Sequence, residues 1–468
     1  MKKLLLTTLL VVTFFACSAV SASAVVNDTV KVGLRYGSSV LPSANLENAV
    51  GGGYEFGYFD RDRCFQAVDW TGETAITMSP MDGGGIQVTV TGTDEVIFET
   101  EDDTLGVLPD GGGEKALTWF KGYKYYGGFE YTRSGGSLQV VNVVDLEDYV
   151  KGVIPYEMGP GWPSAALEAQ AVCARTYVQG HSKHLKDYGF DVCASTCCQV
   201  YNGANSANSV TDDAVDATAG ECLYHDGDLV MDAVYHSSDG GATENAVNVW
   251  GTEVPYLKGK EDPYEAQTSI PNYSWTVTYT AEELTWVLQN SGYSIGTIRD
   301  VYVSGRTDQG NVCKVTFVDT SGKELTVRGD ACRMAFYSTT YGKNVRSMRF
   351  EITGGSGEQS SSGGVYYVNG SGTRLSTLEG ISVISGAGTV TTLPAGELTA
   401  LTSSGKVTIG GSSSKITTAK NTGVFITITG TGSGHNVGMS QYGAKAMAEQ
   451  GYTYDEILEF YYTDITIE

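Results

Sequence analysis

The chain has 468 residues, with 30 lysines and arginines against 54 aspartates and glutamates, a formal charge of −24. A surface of that sign repels nucleic acid and anionic polymers through its net field, so any contact with an anionic partner has to be local. Sixty glycines, 29 tyrosines and only 10 prolines, with a charged fraction of 18%, fit a β-rich secreted protein with many turns.

The opening MKKLLLTTLLVVTFFACSAVSASA has two lysines, an apolar run from Leu4 to Ala16, and small residues ending in Ala22, Ser23 and Ala24. This is the pattern of a secretory signal peptide over residues 1–24, with cleavage expected after Ala24. An uncleaved membrane anchor is the alternative, because Leu4 to Val20 comes close to spanning length. Removing the leader leaves 28 basic against 54 acidic side chains, a balance of −26. The remainder is expected outside the cytoplasm.

Residues 25–140 read as a β-rich N-terminal region. Short strands are predicted over Val30 to Tyr36, Ile86 to Val90, Val96 to Thr100, Ala116 to Phe120 and Gly127 to Thr132, with glycine clusters between them. No catalytic constellation is legible there.

The stretch YVKGVIPYEMGPGWPSAALEAQAVCARTYVQGH, Tyr149 to His181, carries the candidate acid, Glu157. Val140 to Ile154 reads as strand-like. Gly159, Pro160, Gly161 and Pro163 then turn the chain, and Leu167, Ala171, Ala174 and Val178 form one apolar helical stripe. Glu157 is therefore expected at a strand-to-helix junction. Its neighbours Ile154, Pro155, Tyr156 and Met158 are apolar, and partial burial there raises a carboxyl pKa towards that of a proton donor. Most loop glutamates are simply solvated, and that is the bland alternative.

His181, His184, Cys193, Cys197 and Cys198 follow within eighteen residues. Thiolates and imidazoles at this spacing can close a tetrahedral zinc site, for which His184, Cys193, Cys197 and Cys198 are the candidate ligands. Disulfides are the alternative, since eight cysteines remain in an exported chain. Next, Asp226 and Gly227 signal a hairpin whose second strand delivers YHSSDGGATENA. His236, Ser237 and Thr243 of that word are placed to line a cleft. Ala281 to Leu288 is predicted helical behind Thr280 as N-cap. Residues 354–423 turn abruptly to Gly, Ser and Thr and read as a small β insertion between two strands that can pair without it. The last word, GHNVGMSQYGAKAMA, offers His435 and Gln441 as donors from a glycine-rich loop ahead of a helix.

The words YVKGVIPYEM, ALEAQAVCARTY, YHSSDGGATENA and GHNVGMSQYGAKAMA, in this order, resemble those of the SpoIID/LytB family. The resemblance implies a peptidoglycan lytic transglycosylase in which Glu157 is both acid and base and the product ends in 1,6-anhydromuramic acid. It implies that His236, Ser237 and Thr243 line one wall of the glycan cleft. Arg175 has the planar fork to fix the glutamate, the lactyl carboxylate or a sugar, and Gln170, five positions earlier, need not share its face and reads as structural. Some family members carry a structural zinc on two cysteines and two histidines in the loop that holds Cys193 to Cys198. Here Cys197 stands where histidine is expected, Asn436 where glycine is usual and Glu168 where lysine is frequent. A peptidoglycan amidase is the implied partner, and wall remodelling during sporulation engulfment the implied process. Two other classes stay open: a non-catalytic wall-binding enhancer of an amidase, and an inverting hydrolase using Asp239 or Glu244 as second acid. The expected fold is α+β: a β-rich catalytic core over 141–353 and 424–468, with a few helices around a glycan cleft and the 354–423 insertion within it.

Overall fold

The computed structural model describes residues 27–354 and 425–468, and the backbone of short strands between them. The leader expected over 1–24 and most of the 354–423 insertion lie outside the described residues. The chain folds as two units, residues 1–273 with 432–468, and residues 274–431.

The first unit is built on two sheets. The seven-stranded one runs Val192–Cys193, Thr29–Arg35, Ser137–Asp145, Gly128–Ser134, Thr104–Pro109, Tyr54–Phe59 and Phe65–Thr71. The six-stranded one runs Tyr123–Tyr125, Leu117–Phe120, Ala44–Val50, Ala75–Pro80, Ile86–Val90 and Val96–Thr100. Their alternating inward residues, among them Val32, Phe56, Ile76, Val88 and Phe129, share one core with the helices that follow. The N-terminal half therefore does not close a core of its own, and the 25–140 and 141–273 stretches pack as one body.

Helix α1 (Leu146–Glu157) replaces the strand expected over Leu146 to Ile154. The reason is in its spacing: Leu146, Tyr149, Val150, Val153 and Ile154 recur at i, i+3, i+4, i+7 and i+8, and all are buried. Asp145 caps it, its carboxylate accepting from the N–H groups of Glu147 and Asp148. Beyond Glu157, Met158 is extended and Gly159–Pro160 prevents further turns. Helix α2 (Ser164–Gly180) follows Pro163 and buries the predicted stripe of Leu167, Ala171, Ala174 and Val178. Asp226 and Gly227 both have positive φ, as the predicted hairpin turn requires.

The second unit holds two three-stranded sheets and the helix Ala281–Asn290, which Thr280 and Glu283 cap reciprocally. Phe350–Gly354 and Phe425–Thr431 pair directly, Ile352 opposite Ile428, so the intervening residues leave from adjacent strand ends. Within them, Tyr366–Val368, Ser382–Ile384 and Gly405–Ile409 are each one arm of a two-stranded hairpin. No helix among the described residues is long and apolar enough to cross a membrane.

Candidate functional site

Glu157 is the last residue of α1, partly buried. The negative end of the helix dipole and the loss of solvent both disfavour its charged form. Burial raises its pKa, and hydrogen bonds from Gln441 and Tyr235 offset part of that rise. Gln441 opens helix α3 (Gln441–Glu449), and its Nε2 donates to Glu157 Oε2 at 3.1 Å and lies 3.3 Å from Gln170 Oε1.

The two glycine-bordered words reach Glu157 because they are neighbours in space. Tyr235–His236 pairs in parallel with Met439–Ser440, Tyr235 opposite Met439 and His236 opposite Ser440. Alternation along the first strand sends Tyr235 to Glu157 and His236 to the other side. There His236 Nδ1 donates to the Val437 carbonyl at 3.1 Å, and its ring centroid is 5.4 Å from that of His435. Burial and the neighbouring His435 hold His236 well below the ordinary histidine range, so the ring is neutral and its buried Nε2 has no partner. His435 also lies 5.2 Å, centroid to centroid, from the indole of Trp250. Asn436, where the family favours glycine, has φ of +66°. Asparagine tolerates that conformation, and its amide here spans the loops, donating to the carbonyls of Asp239 and Ala242.

Several expected roles change. Arg175 does not face substrate: its side chain is 0% exposed, and its fork is closed on Glu147 at 2.8 and 2.6 Å and on the carbonyls of Glu221 and Val215. Helical rotation turns it from Glu157 towards the side where Glu147 stands. Thr243 is buried and exchanges hydrogen bonds with the Lys260 backbone, so its hydroxyl is part of the loop's own structure. Ser237 is partly exposed and its hydroxyl has no partner among the described residues. Asp239 and Glu244, the candidates for a second acid, are both buried. Glu244 accepts from Asn245 and Asn248. Asp239 lies against Asp262 and Glu265, and burial with those two charges pushes its pKa far up.

Three residues of the site were not foreseen. Gln170, expected to be structural, is fully buried with its Nε2 unpartnered beside Gln441. Tyr235 stood unremarked in front of His236. Gln199 donates to the Tyr235 hydroxyl at 3.1 Å and accepts from Tyr149 at 2.9 Å. The available signal was a polar side chain on an apolar stripe: Gln170 lies three residues after Leu167 and four before Ala174.

Gln199 follows the cysteine loop, where the ligand atoms of His184, Cys193, Cys197 and Cys198 all lie within 4.8 Å of one another. His184 Nε2 is 3.5 Å from Cys198 Sγ, and Lys183 Nζ is 3.1 Å from Cys197 Sγ. The Cys198 thiol donating to it holds Cys193 down at about 3, while Cys198 itself is pushed up. A thiolate already favoured inside a Cys3His donor set suits a closed tetrahedral zinc site. None of the eight described cysteines is in a disulfide.

The described residues thus define an α+β protein that gathers neutral hydrogen-bond donors around a single protonatable carboxyl. A family model described as SpoIID, Stage II sporulation protein, matches residues 134–225, which include α1, α2 and the cysteine loop. The chain belongs to the SpoIID/LytB family. It is 31% identical to an uncharacterized protein of Brachyspira hyodysenteriae over 80% of this chain and 76% of that one. It is 32% identical to the amidase enhancer of Bacillus subtilis, over 68% of this chain and 40% of that protein. With stage II sporulation protein D of the same organism the identity is 27%, over 69% and 74%.

Proposed function

We propose that this chain acts on the bacterial cell wall as a peptidoglycan lytic transglycosylase, with Glu157 as its acid and base. The observation that carries the reading is the state of Glu157: partly buried, with a raised pKa, yet hydrogen-bonded by Gln441 and Tyr235. Such a carboxyl can give a proton and is ready to take one back.

Protonated Glu157 donates to the glycosidic oxygen as the bond from the muramic C1 breaks. The substrate's own C6 hydroxyl then forms the new bond to C1, and its proton returns to Glu157. Atoms balance without water, and the product ends in 1,6-anhydromuramic acid. Gln441 and Tyr235 stabilise the carboxylate formed in between, while the partly exposed Ser237 hydroxyl is available to a sugar oxygen. Hydrolysis through a second carboxylate fits less well, since Asp239 and Glu244 are buried and engaged. Zinc would be held by His184, Cys193, Cys197 and Cys198 and would supply rigidity to the loop that precedes Gln199. We assign the process to wall remodelling outside the cytoplasm, in sporulation by likeness to stage II sporulation protein D.

The likeness to an amidase enhancer favours a second reading, a wall-binding partner that stimulates an amidase without cutting. Mass spectrometry of peptidoglycan, with and without stem peptides, after incubation with the chain and with Glu157→Gln separates these. Anhydromuramic products lost in the variant are expected. Reducing ends would mean hydrolysis, and intact glycan with a stimulated amidase would mean the enhancer.

A further inference from the structure

The sequence demands that any contact with an anionic polymer be local, and the charge is in fact unevenly divided. Residues 274–431 carry 13 basic and 11 acidic side chains, against 17 and 43 in the rest of the chain. The second unit is thus nearly neutral, while the rest of the chain is strongly acidic.

Its central sheet has one apolar and one hydroxylated face. Trp275, Tyr279, Ile426 and Ile428 point into the core. Between them, Ser274 pairs with Thr431, Thr276 with Thr429 and Thr278 with Thr427, so hydroxyls stand in cross-strand rows on the opposite face. Thr276 and Thr429 are exposed, and the hydroxyls of Thr278 and Thr427 are 3.1 Å apart. At the end of these rows opens a cavity of about 510 Å³ lined by Ser274, Thr276, Thr429, Arg306 and Arg349, among others.

The arginines differ. Arg306 is pinned: it donates to the carbonyls of Gly310 and Phe350 and pairs with Glu351 at 2.7 Å. Arg349 makes one side-chain hydrogen bond, Nη1 to the Gln309 carbonyl at 3.0 Å. Its remaining N–H groups meet no acceptor among the described residues. One edge of its fork is fixed and the other is open, the geometry that receives a planar carboxylate.

We propose that this face is a second, non-catalytic binding surface, on which a carboxylate-bearing glycan strand lies across the hydroxyl rows with its carboxylate on Arg349. The inference rests on the wall-polymer reading but not on the chemistry of Glu157. It is tested with the full chain carrying Glu157→Gln, which cannot consume its ligand, by fluorescence anisotropy with labelled glycan strands freed of phosphate polymers and of stem peptides, since the glycan carboxylate is free only where no peptide is attached. Arg349→Gln is expected to weaken binding by about tenfold, the cost of one charged hydrogen-bonded contact. Arg349→Lys should retain part of it, and Thr429→Glu should weaken binding by repulsion. Thermal melts check that each variant is folded. Binding unchanged in both Arg349→Gln and Thr429→Glu would overturn the proposal, as would binding lost once phosphate polymers are stripped. Cleavage of a short soluble glycan by the parent reports separately on Glu157, so failure of one reading does not disguise failure of the other.

Discussion

Gln199 Nε2 stands 3.1 Å from the Tyr235 hydroxyl, and through that contact the cysteine loop reaches Glu157. Tyr149 fixes the other end of the Gln199 amide. Gln199→Ala should leave Tyr235 free to rotate and lower kcat on the order of tenfold at unchanged KM, the loss of one well-placed hydrogen bond. Tyr235→Phe removes a bond that favours ionised Glu157, so the pKa of the acid rises further. The alkaline limb of the pH profile should move to higher pH, and steady-state rates at several pH values check this. A purely structural role for Tyr235 would leave the limb in place.

Replacing the acid itself has two expected effects of opposite value. Glu157→Gln should reduce glycan cleavage by on the order of 10²-fold to 10⁴-fold. It should also stabilise the fold at neutral pH. Because burial raises the folded pKa of Glu157, the native state holds its proton where the unfolded chain has released it, and stability falls as pH climbs from about 4.3 through the folded pKa. Glutamine has no such loss. Melting temperatures of parent and variant should separate above that range and converge below it.

Arg175 offers a contrast. Its side chain is fully buried and committed to Glu147 and two carbonyls. Removing one partner of such a pair costs about 3–5 kcal/mol. Arg175→Gln should lower the denaturation midpoint accordingly, while whatever remains folded keeps its KM for glycan. A raised KM in fully folded protein would restore a substrate role.

Much of this was written locally and could be read. The helix after Pro163 follows from the spacing of Leu167, Ala171, Ala174 and Val178, and the turn at Asp226–Gly227 from residues that accept positive φ. The nature of α1 was masked because acids interrupt its apolar residues, and only the helical period separates it from a strand. The role of Arg175 was hidden for a different reason. Its partner Glu147 lies 28 positions earlier, and no local pattern reports such a pairing. Tyr235 and Gln441 meet Glu157 only because two distant strands align in parallel, which is a tertiary fact.

If the Cys3His cluster holds zinc, elemental analysis of protein purified without added metal should give about one equivalent, and Cys193→Ser or Cys198→Ser should lose it. Chelation should then lower the melting temperature, since ligand binding free energy is folding free energy. It should also slow cleavage through Gln199, without changing which product forms. Full metal content in Cys198→Ser would exclude that thiol as a ligand.

Asp239 gives the sharpest stability test. It is buried against Asp262 and Glu265. Glu265 is satisfied as an anion by the hydroxyls of Ser238 and Ser440 and the N–H groups of Asp239 and Gly240. Asp262 accepts from the Tyr461 hydroxyl and the N–H of Tyr264. Asp239 Oδ2 alone has no donor facing it, and burial with the charge of Glu265 raises its pKa far above the usual range. A proton on Oδ2 resolves the conflict, converting contact with Asp262 into a hydrogen bond. The native state therefore retains a proton that the unfolded chain releases near pH 4, and stability is lost as pH rises beyond that point. Asp239→Asn carries an amide N–H where the proton stands. Its urea midpoint should exceed that of the parent at pH 8 and approach it towards pH 4. If a cation neutralised the cluster instead, the same variant would be less stable at every pH, and the parent would be sensitive to chelators at this position.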